Sequence, residues 1–257
     1  MADPNLLSSF LSFYRDQPPE PQGPSPGLPA RDPDHDQWSS TGRLPSAGVP
    51  DHKKDLIDQA DWDGFNTALA GLDGVTPLQQ YIAARIYAEE GGKRWNGSKS
   101  AFAGLQENGL AEAQKRDPVL GGVKLGEAMT HEQIARAYLA NIAAGAQRYG
   151  GLEELAKLQH DDTVAAIADT QFRHGQNDGA LAIREAVDKA KGRLPPDVAA
   201  TLNLPALNVG KTGPKDTFDQ IRKLNEAGYG TLFRGALADR RAYLWGESEK
   251  SRYDGYR

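Results

Sequence analysis

The sequence predicts an all-α protein of seven to nine helices, with one short β-hairpin as the only strand candidate. Three observations predict it. Apolar residues recur at helical spacing through most of the chain beyond residue 53. Two capping boxes, Thr76 with Gln79 and Thr130 with Gln133, open such runs, and paired glycines close them. The Val, Ile and Thr runs with period-two alternation that a sheet requires are missing.

Taken in order, residues 1–50 hold ten of the sixteen prolines and little apolar periodicity. Proline removes backbone donors and restricts its neighbours, so this segment is expected to be a tail or linker. A single helical domain is expected over 51–257. "KKDLIDQADWDGFNTALAGL" sets Leu56, Ala60, Phe65 and Leu69 near one helix face. The next helix starts at Thr76-Pro77, with proline at the first helical position, and runs to Glu90 before Gly91-Gly92. A hairpin is the strand candidate across 93–106. From Thr130 a long helix carries Ile134, Tyr138, Ile142 and Ala146 on one stripe and stops at Gly150-Gly151. "LEELAKLQ", "DTVAAIADTQFRHG" and "DGALAIREAVDKAKG" read as three further helices, with Gly175 and Gly192 as stops. A proline-punctuated connection over 193–214 carries about one helical turn, and two final helices follow. The basic run "RGALADRR" over 234–241 reads as a solvated helix face.

Composition narrows the chemistry. There are 257 residues and no cysteine, so disulfides, thiol nucleophiles and zinc-thiolate sites are excluded. A net charge of −5 argues against nucleic acid as a partner. No apolar run is long enough for a membrane span. The apolar patch Leu6–Tyr14 has neither a preceding basic residue nor a small-residue cleavage site, so no secretory signal is expected there. His160, Asp161, Asp162 and His174 lack the spacing of a hydrolytic metal motif; no metal and no cofactor are expected. Asp162 is read as a helix cap.

The chemistry-bearing stretch is "YIAARIYAEEGGKRWNGSKSAFAGLQ", 81–106. Glu89 and Glu90 close a helix, where unpaired carbonyls carry partial negative charge. A carboxylate there is hard to ionise, which is the condition of a general acid. Both lie near the buried stripe of Leu78, Ile82 and Ile86, and periodicity does not choose between them. Trp95 and Phe102 have rings that stack on sugars, while Asn96, Ser100 and Gln106 can hydrogen-bond hydroxyls and amides. On chemistry alone, the glutamate pair reads as a solvated helix end.

"YAEEGGKRW" resembles the Glu-Gly-Gly signature of the peptidoglycan-degrading lysozymes of glycoside hydrolase family 108, part of the wider lysozyme and lytic transglycosylase superfamily. In that family the glutamate before the glycines is catalytic, and the resemblance gives this role to Glu90. "SAFAGLQ" is similar to the family's following hairpin, "AIADTQFRHGQNDGALAIREAVDKA" to its helix, turn and helix, "KTGPKDTFDQIRKL" to its Gly-Pro-x-Thr connection, and "LADRRAYLWGESEKSRYDGYR" to its closing arginine-rich helix and Gly-aromatic end. The matching segments keep their order from about residue 78 to 257. They imply a lysozyme-like domain that cleaves peptidoglycan glycan strands, with Trp95, Asn96, Ser100, Phe102, Gln106 and Gln171 as substrate-binding residues.

The family's loop after the glutamate carries aspartates, and residues 91–106 here contain none. The nearest further carboxylates, Glu107 and Asp117, read as surface charges. Hydrolysis with a second carboxylate and a single-glutamate transglycosylase route therefore both stand, beside a degenerate site that only binds the wall. The resemblance implies action in the periplasm or cell wall, reached by non-classical export or phage delivery. It also implies a secretion-machine or immunity protein as a further partner class.

Overall fold

The computed structural model describes residues 55, 57–92, 101–125, 129–158, 160–207 and 213–246. The expected tail over 1–50 lies outside them. Among the described residues the protein is all-α: nine α-helices, one 3-10 turn and a two-strand hairpin.

Helix α1 (Gln59–Ala70) begins on Asp58, whose carboxylate accepts from the Asp61 N–H. Its buried face is Trp62, Phe65 and Leu69. Ala60 is exposed, a correction to the expected stripe, and Leu56 lies outside the described residues. Positions 62, 65 and 69 stay on one helical face, whereas 60 and 65 are five apart and diverge. Helix α2 (Pro77–Glu90) has its capping box complete. Thr76 N–H donates to Gln79 Oε1 at 2.7 Å, and Gln79 N–H donates to Thr76 Oγ1 at 3.2 Å. It ends on Gly91 in the left-handed region (φ 79°).

The hairpin pairs β1 (Ala101–Phe102) with β2 (Leu105–Gln106), a short piece at the end of the expected span. Its two turn residues, Ala103 and Gly104, both have positive φ, 48° and 73°, as a tight two-residue hairpin requires. Helix α3 (Glu107–Arg116) follows at once, then a 3-10 turn (Pro118–Leu120). Helix α3 was not expected: no side chain caps its start and only Leu110 and Ala113 are buried along it, although Glu107 in its first turn and Lys115 and Arg116 in its last suit the helix dipole.

Helix α4 (His131–Gln147) has the second capping box and buries Ile134, Tyr138, Ile142 and Ala146 as expected. It ends slightly before the glycine pair, which turns the chain into α5 (Leu152–Ala156) with φ of 91° and 98°. Helix α6 (Asp161–Lys191) leaves helical geometry at Gly175 (φ 72°, ψ 176°), so its two arms are the two helices expected on either side of that glycine. Its cap is His160, not Asp162: His160 Nδ1 accepts from Thr163 N–H, while Asp162 accepts a hydrogen bond from the Tyr81 hydroxyl. Helices α7 (Pro196–Leu202), α8 (Pro214–Glu226) and α9 (Gly230–Trp245) complete the order. No helix among the described residues is long and apolar enough to cross a membrane.

One apolar cluster runs from Ile57 to Ala238, and α6 packs along α9 and against α2, α4 and α8. Within it, Phe65 and Tyr87 stack at 3.8 Å, and Tyr138 meets both edge-on. Tyr138 also contacts Phe172 at 4.8 Å, which brings α1, α2, α4 and α6 to one ring.

The basic run 234–241 is not a solvated face. Arg234 and Arg241 are buried, the second completely. Arg241 donates to Asp169 Oδ2 at 3.1 Å and to Thr170 Oγ1 at 3.2 Å; Arg234 donates to Thr163 Oγ1 at 3.1 Å and faces His160 Nε2. A guanidinium survives burial when its donors are met this way. Asp169 is also wholly buried, so Asp169→Ala takes a hydrogen-bonded carboxylate away from a buried cation. We expect that substitution to lower unfolding free energy by about 3–5 kcal/mol, read from denaturant midpoints. A loss under roughly 1 kcal/mol would mean that Arg241 reaches water or another acceptor.

Candidate functional site: a polar cleft around Glu90

The carbonyl end of α2 is closed by its two glycines. Gly91 N–H donates to Ala88 O and Gly92 N–H to Tyr87 O, which satisfies carbonyls that would otherwise be orphaned. A tertiary clamp holds this stop. Asp61 Oδ1 accepts from the Tyr87 hydroxyl at 2.9 Å and faces His131 Nε2 at 2.8 Å. Asp61 Oδ2 lies where a Cβ on residue 92 would stand. Only glycine fits there.

The clamp separates the two glutamates that periodicity left equivalent. Glu89 is 6% exposed and belongs to the buried face of α2. Glu90 instead lines a cleft of about 690 Å³ between α2, the hairpin, α3, α4, α6 and the end of α9. The hairpin turn comes up against it: a Cβ on Gly104 would lie 2.5 Å from both Cδ and Oε2 of Glu90. On another side, Arg173 Nη1 donates to both carboxylate oxygens, at 3.2 and 3.3 Å.

The expected substrate-binding residues divide. Gln106 and Gln171 line the cleft with Glu90. Phe102 does not; it is buried in the apolar core. The alternation of a hairpin puts neighbouring side chains on opposite faces, and the turn spends the aromatic on packing. Trp95, Asn96 and Ser100 lie outside the described residues. Glu107, at the exposed start of α3, and Asp117, which pairs with Arg136 at 3.2 Å, do not line the cleft.

Several lining groups were not among the residues expected to bind substrate. Asn108 and Glu112 project from α3, Asn141 from α4, Arg173 and His174 from α6, and Trp245 from the end of α9. His174 and Trp245 stack face to face, 3.4 Å between centroids and 4° between planes. Hydrogen bonds from Lys115 and Arg116 hold the Glu112 carboxyl below its ordinary range, so it stands in the cleft ionised. Gln171 reaches the cleft because residue 145 is glycine: a Cβ there would lie 2.9 Å from the Cβ of Gln171. Its Nε2 donates to the Tyr149 hydroxyl at 3.4 Å, and its buried Oε1 has no partner among the described residues. Of the histidines and aspartates weighed for a metal, His160 is buried against Arg234 and His174 stacks on Trp245, and no group of three candidate ligands occurs among the described residues.

The arrangement offers a carboxyl group at a helix end, a bare Cα beside it, a second carboxylate, several amide side chains and an aromatic platform. A carboxyl group so placed can exchange a proton with a bound ligand, and the amide and aromatic side chains can hold one. No family model, curated protein or solved structure matches the chain.

The contact between the turn and the carboxylate is testable by coupling. Gly104→Ala places a methyl group on Glu90 and a side chain at φ 73°, and is expected to cost about 2–4 kcal/mol of stability. In a Glu90→Ala background the clash disappears, and the cost should fall to the backbone strain of about 1–2 kcal/mol. Equal costs in the two backgrounds would show that turn and carboxylate do not touch.

Proposed function

We propose that the chain cleaves the glycan strand of bacterial peptidoglycan, with Glu90 as general acid. One observation carries this reading: the Glu90 carboxylate lies in a large polar cleft, against the bare Cα of Gly104, instead of in solvent at a frayed helix end. The resemblance of "YAEEGGKRW" to the family 108 lysozymes supports the same residue. Gln106, Asn108, Asn141 and Gln171 supply amide donors and acceptors for hydroxyl and acetamido groups, and the Trp245–His174 stack supplies a face for a sugar ring.

In this chemistry the proton of Glu90 passes to the glycosidic oxygen as the C1–O bond breaks, and the sugar left behind develops oxocarbenium character. Two captures remain. Water adds if Glu112, ionised on the same cleft, removes its proton; otherwise the muramic acid's own hydroxyl adds to C1 and gives its proton to the Glu90 carboxylate, leaving an anhydro end. The substrate places the site of action at the cell wall.

Glu90→Gln keeps the shape and removes the acid. Release of products from purified peptidoglycan should fall by roughly 10²–10⁴-fold, while sedimentation with the polymer is retained. Product masses then separate reducing ends from anhydro ends. A wild-type protein that releases neither would refute the enzyme reading. It would favour a wall-binding protein on the same fold, the second reading, to which the Arg173–Glu90 ion pair lends support because it engages both carboxylate oxygens.

A further inference from the structure

A second depression, of about 320 Å³, lies between the second arm of α6 and α9. Glu185, Asp188, Lys189, Asp239, Arg240 and Tyr243 line it, and it shares none of them with the Glu90 cleft. Tyr243 and Trp245 stand two apart on α9, so their side chains leave the helix about 200° apart. Trp245 lines the cleft and Tyr243 lines this depression. Tyr243 is 65% exposed, the most exposed large hydrophobic side chain among the described residues. Its ring is nevertheless held: the Arg240 guanidinium lies over it, 4.9 Å from the centroid, and Arg240 Nε donates to Glu185 Oε2. A ring fixed from one side and open to solvent on the other need not be ordered by what binds it.

The charges around the ring are met within the protein. Asp239 Oδ2 pairs with Arg193 at 2.9 Å and with Lys189 at 3.7 Å, Asp188 Oδ1 pairs with Lys191 at 2.8 Å, and Glu185 pairs with Arg240. An ionic ligand would have to compete with these pairs. Hydroxyl groups would not, because a carboxylate has about four acceptor positions and an ammonium three donors, so paired side chains can bond a hydroxyl as well. Apart from the ring, every lining side chain is charged, which does not suit the apolar centre of a protein interface. A ring with a C–H face and a hydroxyl rim matches both halves of the lining: the face meets Tyr243 and the rim meets the charged groups. The volume lies near the lower end of ligand cavities, about 300–1,000 Å³.

We propose that this depression is a second binding site, separate from the Glu90 cleft, for an uncharged saccharide. Tyr243 is its stacking platform, Arg240 and Glu185 hold that platform in place, and Glu185, Asp188 and Lys189 bond the hydroxyls. The site performs no chemistry. It does not depend on glycan cleavage at Glu90, and it stands or falls by its own residues.

The test is a titration of nitrogen-labelled full-length Glu90→Gln protein, which leaves the probe whole, with chitotetraose and separately with maltotetraose, followed by amide NMR into the millimolar range. The amides of residues 185–189 and 239–243 should shift and saturate with at least one of the two. Shifts with chitotetraose alone assign the rim contacts to acetamido groups, and shifts with both assign them to hydroxyls. Adding Tyr243→Ala should abolish these shifts, Tyr243→Phe should keep them, and Trp245→Ala should leave them unchanged. Tyr243 is exposed, and an unchanged melting temperature confirms that each variant is folded. Shifts confined to the Glu90 cleft, shifts at 185–189 and 239–243 that persist in Tyr243→Ala, or no saturable shift with either probe overturn the proposal. So does a concentration-dependent dimer of the wild type that Tyr243→Ala dissolves, which would give the face to a second copy of the chain. Shifts at the depression with none at the cleft support the second site and count against the cleavage reading alone.

Discussion

The hydrogen bond from the Tyr138 hydroxyl to the carbonyl of Ala103, 2.6 Å long and buried, is the constraint on which the site depends. Ala103 holds a left-handed conformation that an L residue adopts at a cost of about 1–2 kcal/mol. A buried hydrogen bond returns about 0.5–1.5 kcal/mol, and the complete burial of Ala103 contributes more. The same tyrosine ring touches Phe65, Tyr87 and Phe172. One side chain thereby ties the hairpin turn to three helices. It carries Gly104 to Glu90 as a consequence of core packing.

From the other direction, Glu90 is fixed by the way α2 stops. The glycine pair satisfies the last carbonyls, and Asp61 fills the space beside Gly92 while it accepts from Tyr87. His131 reaches that carboxylate because residue 64 is glycine; a Cβ there would overlap the imidazole ring, at 2.5 Å from Cε1. Helix end and hairpin turn are thus held by different hydrogen bonds that share the Tyr87–Tyr138 ring contact, and the carboxylate lies where the two meet.

What was legible in the sequence was local. Both capping boxes, the stop at Gly91-Gly92 and the break at Gly175 follow from a few adjacent residues, and the structure has each of them. The long stripe of α4 was legible because four apolar residues repeat on one face, whereas α1 offered a small alanine that the core did not use. Helix α3 has no capping side chain and buries only Leu110 and Ala113, so its local marks were the acid at its start and the two bases at its end. The burial of Arg234 and Arg241 depends on Thr163, Asp169 and Thr170, more than sixty residues earlier, and no pattern in the basic run itself contains that information. The cleft shows the same division. Glu90 was singled out only by the resemblance of its Glu-Gly-Gly run, and Arg173, Glu112 and Trp245 come to line the same cleft only when α6, α3 and α9 converge on it.

If the proposed cleavage is right, a glycan strand lies in the cleft with a glycosidic oxygen at position 90. The direct measurement is a crystal structure of the Glu90→Gln variant with a bound tetrasaccharide of alternating N-acetylglucosamine and N-acetylmuramic acid. Cleavage by Glu90 requires a glycosidic oxygen within about 3.2 Å of the side-chain amide at position 90, and a sugar ring on the Trp245 face. A saccharide seated elsewhere on the surface, with the cleft empty, would contradict it.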